Sequence, residues 1–263
     1  MNRSLKAAVA VAITAVTLAA CGGSNEAEPS ASDAALVKAG TLTVCSDVPY
    51  PPFEDFDKSA ASGFKGFDVD IVQAVADGLK LKLAIRDSSF DGLQSGQALN
   101  AGQCDIAASA MTITPERQKN IDFSDSYYDS KQSLLVPKGS DIKSIEDLAG
   151  KTVGVQQGTT GKAYTEKNAP KTAKIPSFPS DAEMYQAIQA GQVDALLQDL
   201  PVNLEHTKDG KFVIVEQYDT NESYGLALKK GNAALLKDVN AQLAELKSSG
   251  EYKKLYDKYF ETN

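Results

Sequence analysis

Residues 40–54, GTLTVCSDVPYPPFE, hold the pattern from which the fold of this chain can be read. Thr41 to Cys45 is a short, β-branched, apolar run, as in a buried parallel strand. It runs into a loop that Pro49, Pro51 and Pro52 make rigid. Beyond the loop, Phe67, Ile71, Val75 and Leu79, with Val72 and Ala76, fall at helical spacing, and Gly78 is placed to stop that helix. Leu81 to Ile85 reads as a second strand. Leu93 to Ala101 reads as a helix closed by Gly102, and Cys104 to Ala110 as a third strand. Strand and helix alternate, so the fold class is α/β with a mostly parallel sheet.

The same pattern continues toward the C-terminus. Thr114 is a good N-cap and Pro115 a good first helical residue, so a helix is predicted there. Ser133 to Val136 is a strand, Ser144 opens a loose capping box, and Val153 to Val155 is a strand leading through Gln156–Thr160 into a helix. Ser180 to Glu183 is a full capping box, with Met184, Ala187 and Ile188 behind it and Gly191 at its end. Val193 to Leu197 is a strand ending at Gln198–Asp199, and Tyr224 to Leu228 is another. A helix through Leu235, Leu236, Val239, Leu243 and Leu246 follows, then a shorter one carrying Tyr252, Leu255, Tyr256, Tyr259 and Phe260. This is the pattern of two similar α/β lobes.

Toward the N-terminus the composition changes. Arg3 and Lys6 head a 12-residue apolar run, Ala7 to Leu18, that is short for a membrane span. Leu18-Ala19-Ala20-Cys21 follows. This is the signature of a secretory signal, residues 1–20, cleaved before Cys21; the cysteine resembles the lipidation site of a bacterial lipobox. The polar stretch SNEAEPSASD (24–33) is too poor in apolar residues to fold, and 22–35 is expected to be a flexible tether. The chain holds 27 Lys and Arg against 35 Asp and Glu, a net charge of −8. Losing the leader removes Arg3 and Lys6 and no acid, leaving −10. Such a body does not favour nucleic acid or anionic lipid. Only Cys45 and Cys104 remain beyond Cys21, with no cysteine–histidine cluster, so neither a metal nor a cofactor is implied. An exported protein often pairs two such thiols, yet their strand positions differ by roughly 10 Å along neighbouring strands, and the pairing stays open.

Ligands in open α/β sheets bind beyond the carboxyl ends of the strands. Asp47 and Tyr50 follow the first strand, Phe90 lies after the second, and Met111, Thr112 and Arg117 follow the third. Gln157, Gly158, Thr159 and Thr160 follow a strand of the second half, and Asp199 another. Arg117 can take a carboxylate bidentately, the Gly158–Thr160 turn offers backbone N–H groups at a helix start, and Asp199 can take an ammonium. Together they match a zwitterion. Taken singly, each has a plainer role: Arg117 a surface helix residue, Asp47 a turn former, Tyr50 and Phe90 core. Signals of catalysis are weak. The single histidine, His206, stands in a polar stretch and is expected at the surface. GVQQGTTGK (154–162) misses the phosphate-loop spacing, with Gln156 where glycine is needed and Ala163 where serine or threonine is needed.

Several stretches together resemble one family, the bacterial extracellular solute-binding proteins of polar amino-acid ABC transporters (family 3). They are GTLTVCSDVPYPPFE (40–54), GFDVDIVQAVA (66–76), MTITPERQ (111–118) to IDFSDSYY (121–128), DLAGKTVGVQQGT (147–159), AGQVDALLQD (190–199) and GEYKKLYDKYF (250–260). The resemblance implies a periplasmic-binding-protein-like fold of type II, with two α/β lobes joined by two hinge strands and a ligand cleft between them. Lobe 1 is then 36–130 plus 223–263, and lobe 2 is 131–222. The resemblance assigns the ligand carboxylate to Arg117 and the backbone at Thr112 and Thr160. It assigns the ammonium to Asp199, the Ala110 carbonyl and the Thr112 hydroxyl, and the ligand side chain to Asp47, Tyr50 and Phe90. Members with serine at the position of Ala110 can use its hydroxyl; this chain cannot. The implied function is capture of a polar amino acid, basic or glutamine-like before acidic, by a monomer lipid-anchored to the membrane at Cys21, and delivery to an ABC permease by hinge closure. A sensory module and a cyclohexadienyl-dehydratase-like enzyme are the alternatives.

Overall fold

The computed structural model describes residues 36–261; the leader, Cys21 and the tether lie outside the described residues. β1 (Thr41–Ser46) is buried along its whole length, as its apolar run requires. A small antiparallel hairpin follows, β2 (Asp55–Phe56) with β3 (Phe64–Lys65). Then come α1 (Phe67–Gly78), β4 (Lys82–Asp87), α2 (Phe90–Gln94), α3 (Gln97–Asn100), β5 (Ile106–Ala107) and β6 (Ile121–Phe123). The chain continues through β7 (Tyr128–Pro137), β8 (Val153–Gln156), α4 (Thr160–Asn168), β9 (Ser177–Phe178), α5 (Asp181–Gln189) and β10 (Ala195–Asp199). It ends with α6 (Leu200–Thr207), β11 (Phe212–Tyr224), β12 (Ala227–Lys229), α7 (Ala233–Ser248) and α8 (Glu251–Phe260).

Two five-stranded sheets form the frame, in the orders β4-β1-β5-β12-β6 and β11-β7-β10-β8-β9. In the first, β1 is parallel to β4 and β5, and β12 runs antiparallel to β5 and β6. The chain leaves this sheet along β7 and returns along β11 to β12. These two long strands pair antiparallel from Tyr128↔Tyr224 to Pro137↔Phe212, with irregularities between Ile214 and Glu216 and between Tyr218 and Glu222. Bulges bend a strand pair locally, and the second of these, opposite Ser130–Gln132, falls near where the pair passes from one lobe to the other. Val202 of α6 is buried in the apolar cluster of the first lobe, so the lobes are in contact. Aromatic rings pack over the crossing. Tyr128 and Tyr224 stack with centroids 5.4 Å apart, Phe53 lies edge-on to both, and Tyr256 and Phe260 of α8 sit 5.9 and 4.7 Å from Tyr128. Among the described residues no helix is long and apolar enough to cross a membrane.

Three local expectations differ from the structure. The helix expected over 93–101 is broken in two at Gly96, whose φ of +79° is left-handed. A β-carbon there would stand 2.7 Å from Ile121 Cγ2. The helix expected from Thr114 is only a three-residue 3-10 turn, Arg117–Lys119, although Thr114 Oγ1 accepts the Arg117 N–H at 3.2 Å; β6 begins two residues later and ends it. Helix α6 went unread, although Pro201 near its start is a regular helix-opening signal.

Cys45 and Cys104 are disulfide-bonded, with Cα atoms 5.7 Å apart. The strand offset does not separate them because regular pairing of β5 is confined to Ile106 and Ala107, and Cys104 lies before it. The bond closes a loop spanning 59 residues, which in the chain-entropy description stabilises a fold by about 4 kcal/mol. Cys45→Ala with Cys104→Ala is expected to lose about 2–4 kcal/mol in urea unfolding under oxidising conditions. A loss below a few tenths would show that the bond adds little to stability.

Candidate functional site

The ends of the strands deliver one set of side chains into one cleft. From the first lobe come Asp47 and Tyr50 after β1, Phe90 at the start of α2, Ser109, Ala110 and Thr112 after β5, and Arg117. From the second come Gln156 at the end of β8, Thr159 and Thr160 at the start of α4, and Asp199 at the end of β10. Of the residues expected at the site, Asp47, Tyr50, Phe90, Ala110, Thr112, Arg117, Thr159, Thr160 and Asp199 line this cavity; Gly158 meets it through its carbonyl, Gln157 does not line it, and Met111 is buried in an apolar cluster instead. Ser109 and Gln156 were not foreseen. The lobes are closed on one another, and the void between them is about 10 Å³, room for about one water. A larger solute therefore enters only when the lobes part.

Arg117 is buried, and its guanidinium donates only to backbone carbonyls among the described residues. Nη1 reaches Thr112 O at 2.7 Å and Nη2 reaches Gly158 O at 3.0 Å across the cleft. The Phe90 ring lies 5.1 Å from Cζ, a cation–π contact. Burial pulls its pKa down to about 10, opposed by the negative charges of Asp199 and Glu222, so it stays cationic at neutral pH. A guanidinium has five donor hydrogens, so most remain free to meet an anion.

Asp199 is the opposite pole. Its Oδ2 accepts from Tyr50 O–H at 3.0 Å and Tyr224 O–H at 2.6 Å, and its Oδ1 from Gln132 Nε2 at 2.5 Å. Burial, then the charge of Glu222, raises its pKa to about 7 against those hydrogen bonds. Glu222, on β11, gathers the hydroxyls of Thr112 and Thr160 and the Gln132 amide on one oxygen, at 3.1, 3.0 and 3.0 Å. Nothing in the polar stretch around Glu222 or in Gln132 marked them beforehand, because their place depends on how the two long strands cross. At the other end of the cavity, Asp47 Oδ2 accepts from Gln156 Nε2 across the cleft at 2.6 Å. Burial, reinforced by Asp87 and Asp181, lifts Asp47 to about 7 as well.

His206 is not at the surface. It is buried, its Nε2 is 2.9 Å from Asp181 Oδ1, and its ring stacks on Tyr185 at 3.8 Å. Asp181 also accepts from Gln198, whose amide bonds Asn203 too, and Asn203 donates to Ser133. This chain of bonds joins α5 and α6 to the end of β10, the strand that carries Asp199. The polar stretch misled because α6, unread, turns one face inward.

The bacterial extracellular solute-binding proteins, family 3, match this chain over residues 42–262. The chain belongs to that family. This solute-binding protein is 34% identical to a probable histidine-binding protein of Neisseria gonorrhoeae over 99% of its own length and 97% of the relative's. It is 37% identical to the glutamine-binding protein of a Bacillus subtilis ABC transporter, over 77% and 75% of the two chains. Among solved structures, an ancestral arginine-binding protein bound to arginine superposes with a TM-score of 0.79 at 40% identity, over 84% of this chain and 98% of that one. The two-lobed, type II periplasmic fold is therefore shared. The relatives are binding proteins and not enzymes, and this chain is an extracytoplasmic solute-binding component of the same kind.

Both cleft carboxyls of the solute-binding protein hold protons more tightly folded than unfolded. The associated stabilisation is complete below the ordinary carboxylate range near pH 4 and is lost as pH rises through about 7. Ligand-free protein is therefore expected to unfold at lower urea at pH 8 than at pH 5, by at most about 3 kcal/mol per carboxyl. Asp199→Asn should flatten that slope; an unchanged slope would show that Asp199 is ionised throughout.

Proposed function

We propose that this solute-binding protein captures an amino acid with a cationic or uncharged polar side chain and delivers it, by hinge closure, to an ABC transporter permease. The observation that carries this is the charge layout of one closed cleft: a buried guanidinium with no carboxylate partner, a buried carboxylate opposite it, and a second carboxylate, Asp47, to spare. The ligand α-carboxylate goes to Arg117 and the backbone of Thr112 and Thr160. The ammonium goes to Asp199, the Ala110 carbonyl and the Thr112 hydroxyl. The side chain extends toward Asp47, Tyr50, Phe90 and Gln156. Gly158 serves by steering Arg117 through its carbonyl.

Arg117 and Asp47 belong to lobe 1 (36–130 plus 223–263), and Thr160 and Asp199 to lobe 2 (131–222). A ligand that touches both binds the closed state better than the open one and shifts the population toward closure. The named ligands of the relatives, histidine, glutamine and arginine, support an amino acid. An ancestral arginine-binding protein, 39% identical, was also solved bound to glutamine, which supports a pocket tolerant of both classes. A carboxylate side chain would meet Asp47 with like charge and be rejected. We place the protein outside the cytoplasm as a monomer tethered by a lipid on Cys21 and the 22–35 segment.

A thermal-shift screen of refolded protein against the twenty amino acids tests the class, since a ligand at a hundredfold excess over Kd adds about 2.7 kcal/mol. Arg117→Ala is expected to abolish the shift while the circular dichroism stays native; near-native affinity would overturn the site. Asp47→Asn is expected to weaken arginine or lysine by roughly tenfold and to spare glutamine. Equal losses for both would remove Asp47 from the side-chain pocket. Binding of a basic amino acid should release protons between pH 6 and 8, because the ligand charge draws Asp47 and Asp199 below the value near 7 that they have in its absence. Calorimetry in buffers of different ionisation heat reads that release; none would mean that the ligand cation meets neither carboxylate.

A further inference from the structure

Behind the cleft lies a pair of acids that the proposed binding scheme does not use. Glu54 and Asp68 are almost wholly buried, at 0% and 1% exposure. Their segments are stitched together, with Asp68 N–H donating to Phe53 O at 3.0 Å. Each carboxyl uses one oxygen to hold one of two consecutive residues that line the cavity. Glu54 Oε1 accepts from Ser109 Oγ at 2.5 Å, and Asp68 Oδ2 accepts from Ala110 N–H at 2.8 Å and from Tyr127 O–H at 2.7 Å. The other two oxygens, Glu54 Oε2 and Asp68 Oδ1, are buried and have no partner.

Two ionised carboxylates in this place are not tenable. Neither has an ion-pair partner among the described residues, and the charges that act on Glu54 are further acids: Asp68, then Asp47 and Asp199. The phenols of Tyr127 and Tyr50 also face the pair. Like charges that act on one another in a desolvated site leave one carboxyl protonated, and a bare buried carboxylate oxygen is costlier than a protonated one. One proton on the pair removes the second charge. Asp68 already receives two donors and Glu54 one, so the negative charge is better held on Asp68.

We propose that Glu54 and Asp68 hold a single proton between them, carried on Glu54, and that this singly charged pair is the positioning element that sets the Ser109–Ala110 turn for ligand recognition. The role in recognition rests on the amino-acid reading above; the shared proton does not. Ala110 needs such support. Its φ of +44° is left-handed, a conformation strained for a residue with a β-carbon. The Asp68 bond to its N–H fixes that turn. Ser109 Oγ passes the constraint on, since it also accepts the Asp47 N–H at 3.1 Å. The pair thus braces the backbone of three cavity residues from behind without touching the ligand.

Glu54→Gln is the isostere of a protonated glutamate, neutral and still able to accept from Ser109. Glu54→Leu is neutral too but cannot accept that bond. The infrared difference spectrum of wild type minus Glu54→Gln at pH 8 is expected to contain the carbonyl stretch of a protonated carboxylic acid. Its absence would overturn the shared proton. Glu54→Gln is further expected to keep the Kd for L-arginine within roughly threefold and Glu54→Leu to weaken it roughly tenfold or more. Losses of equal size in the two variants would overturn the positioning role. Failure of wild-type protein to bind L-arginine would count against the ligand class above and leave the infrared result to decide the proton.

Discussion

An arginine taken out of water without a carboxylate beside it is the constraint from which the rest of this molecule follows. Burial of an unpaired charge is among the costlier things a fold can contain. Arg117 meets that cost with two carbonyl dipoles and an aromatic face, and one of the carbonyls belongs to the opposite lobe. The closed cleft is therefore held partly by the same group to which the proposed scheme gives the ligand carboxylate. In that scheme a ligand carboxylate adds an ion pair at low dielectric to contacts that already span the cleft, so recognition and closure are coupled.

The acids around the cleft extend the same logic. Asp47 and Asp199 line the cavity, Glu222 stands behind Thr112 and Thr160, and among the described residues Arg117 is the one cation lining it. Burial above all, with the charge of Glu222 added at Asp199 and those of Asp87 and Asp181 at Asp47, raises Asp47 and Asp199 toward neutrality. A cationic ligand relieves that tension and an anionic one adds to it. Charge balance thus selects among amino acids before shape does.

Much of this was legible in the chain. The buried run of β1, the periodicity of α1, the caps at Ser144 and Ser180 and the glycine stops marked two α/β lobes because each is a local signal with a local cause. The strand-end rule also named Asp47, Tyr50, Phe90, Thr112, Arg117, Thr159, Thr160 and Asp199, since topology alone brings strand ends together; Ala110 came from the family resemblance alone. Non-local geometry was not legible. Glu222 and Gln132 reach the cleft only because β7 and β11 cross beneath it, and Cys104 reaches Cys45 only because β5 is two residues long. His206 looked exposed because its burial depends on a helix, α6, whose polar sequence hides an inward face.

The aromatic layer over the hinge has a practical side. The chain has no tryptophan and ten tyrosines, and Tyr128, Tyr224 and Tyr256 stand within 6 Å of a neighbouring ring where the lobes articulate. Tyr50 and Tyr224 also donate to Asp199, a carboxylate that quenches a phenol hydrogen-bonded to it. Movement of one lobe against the other changes ring overlap and phenol environment together. The near-ultraviolet signal of this protein, unclouded by indole, is in effect a built-in gauge of how far the two halves have swung.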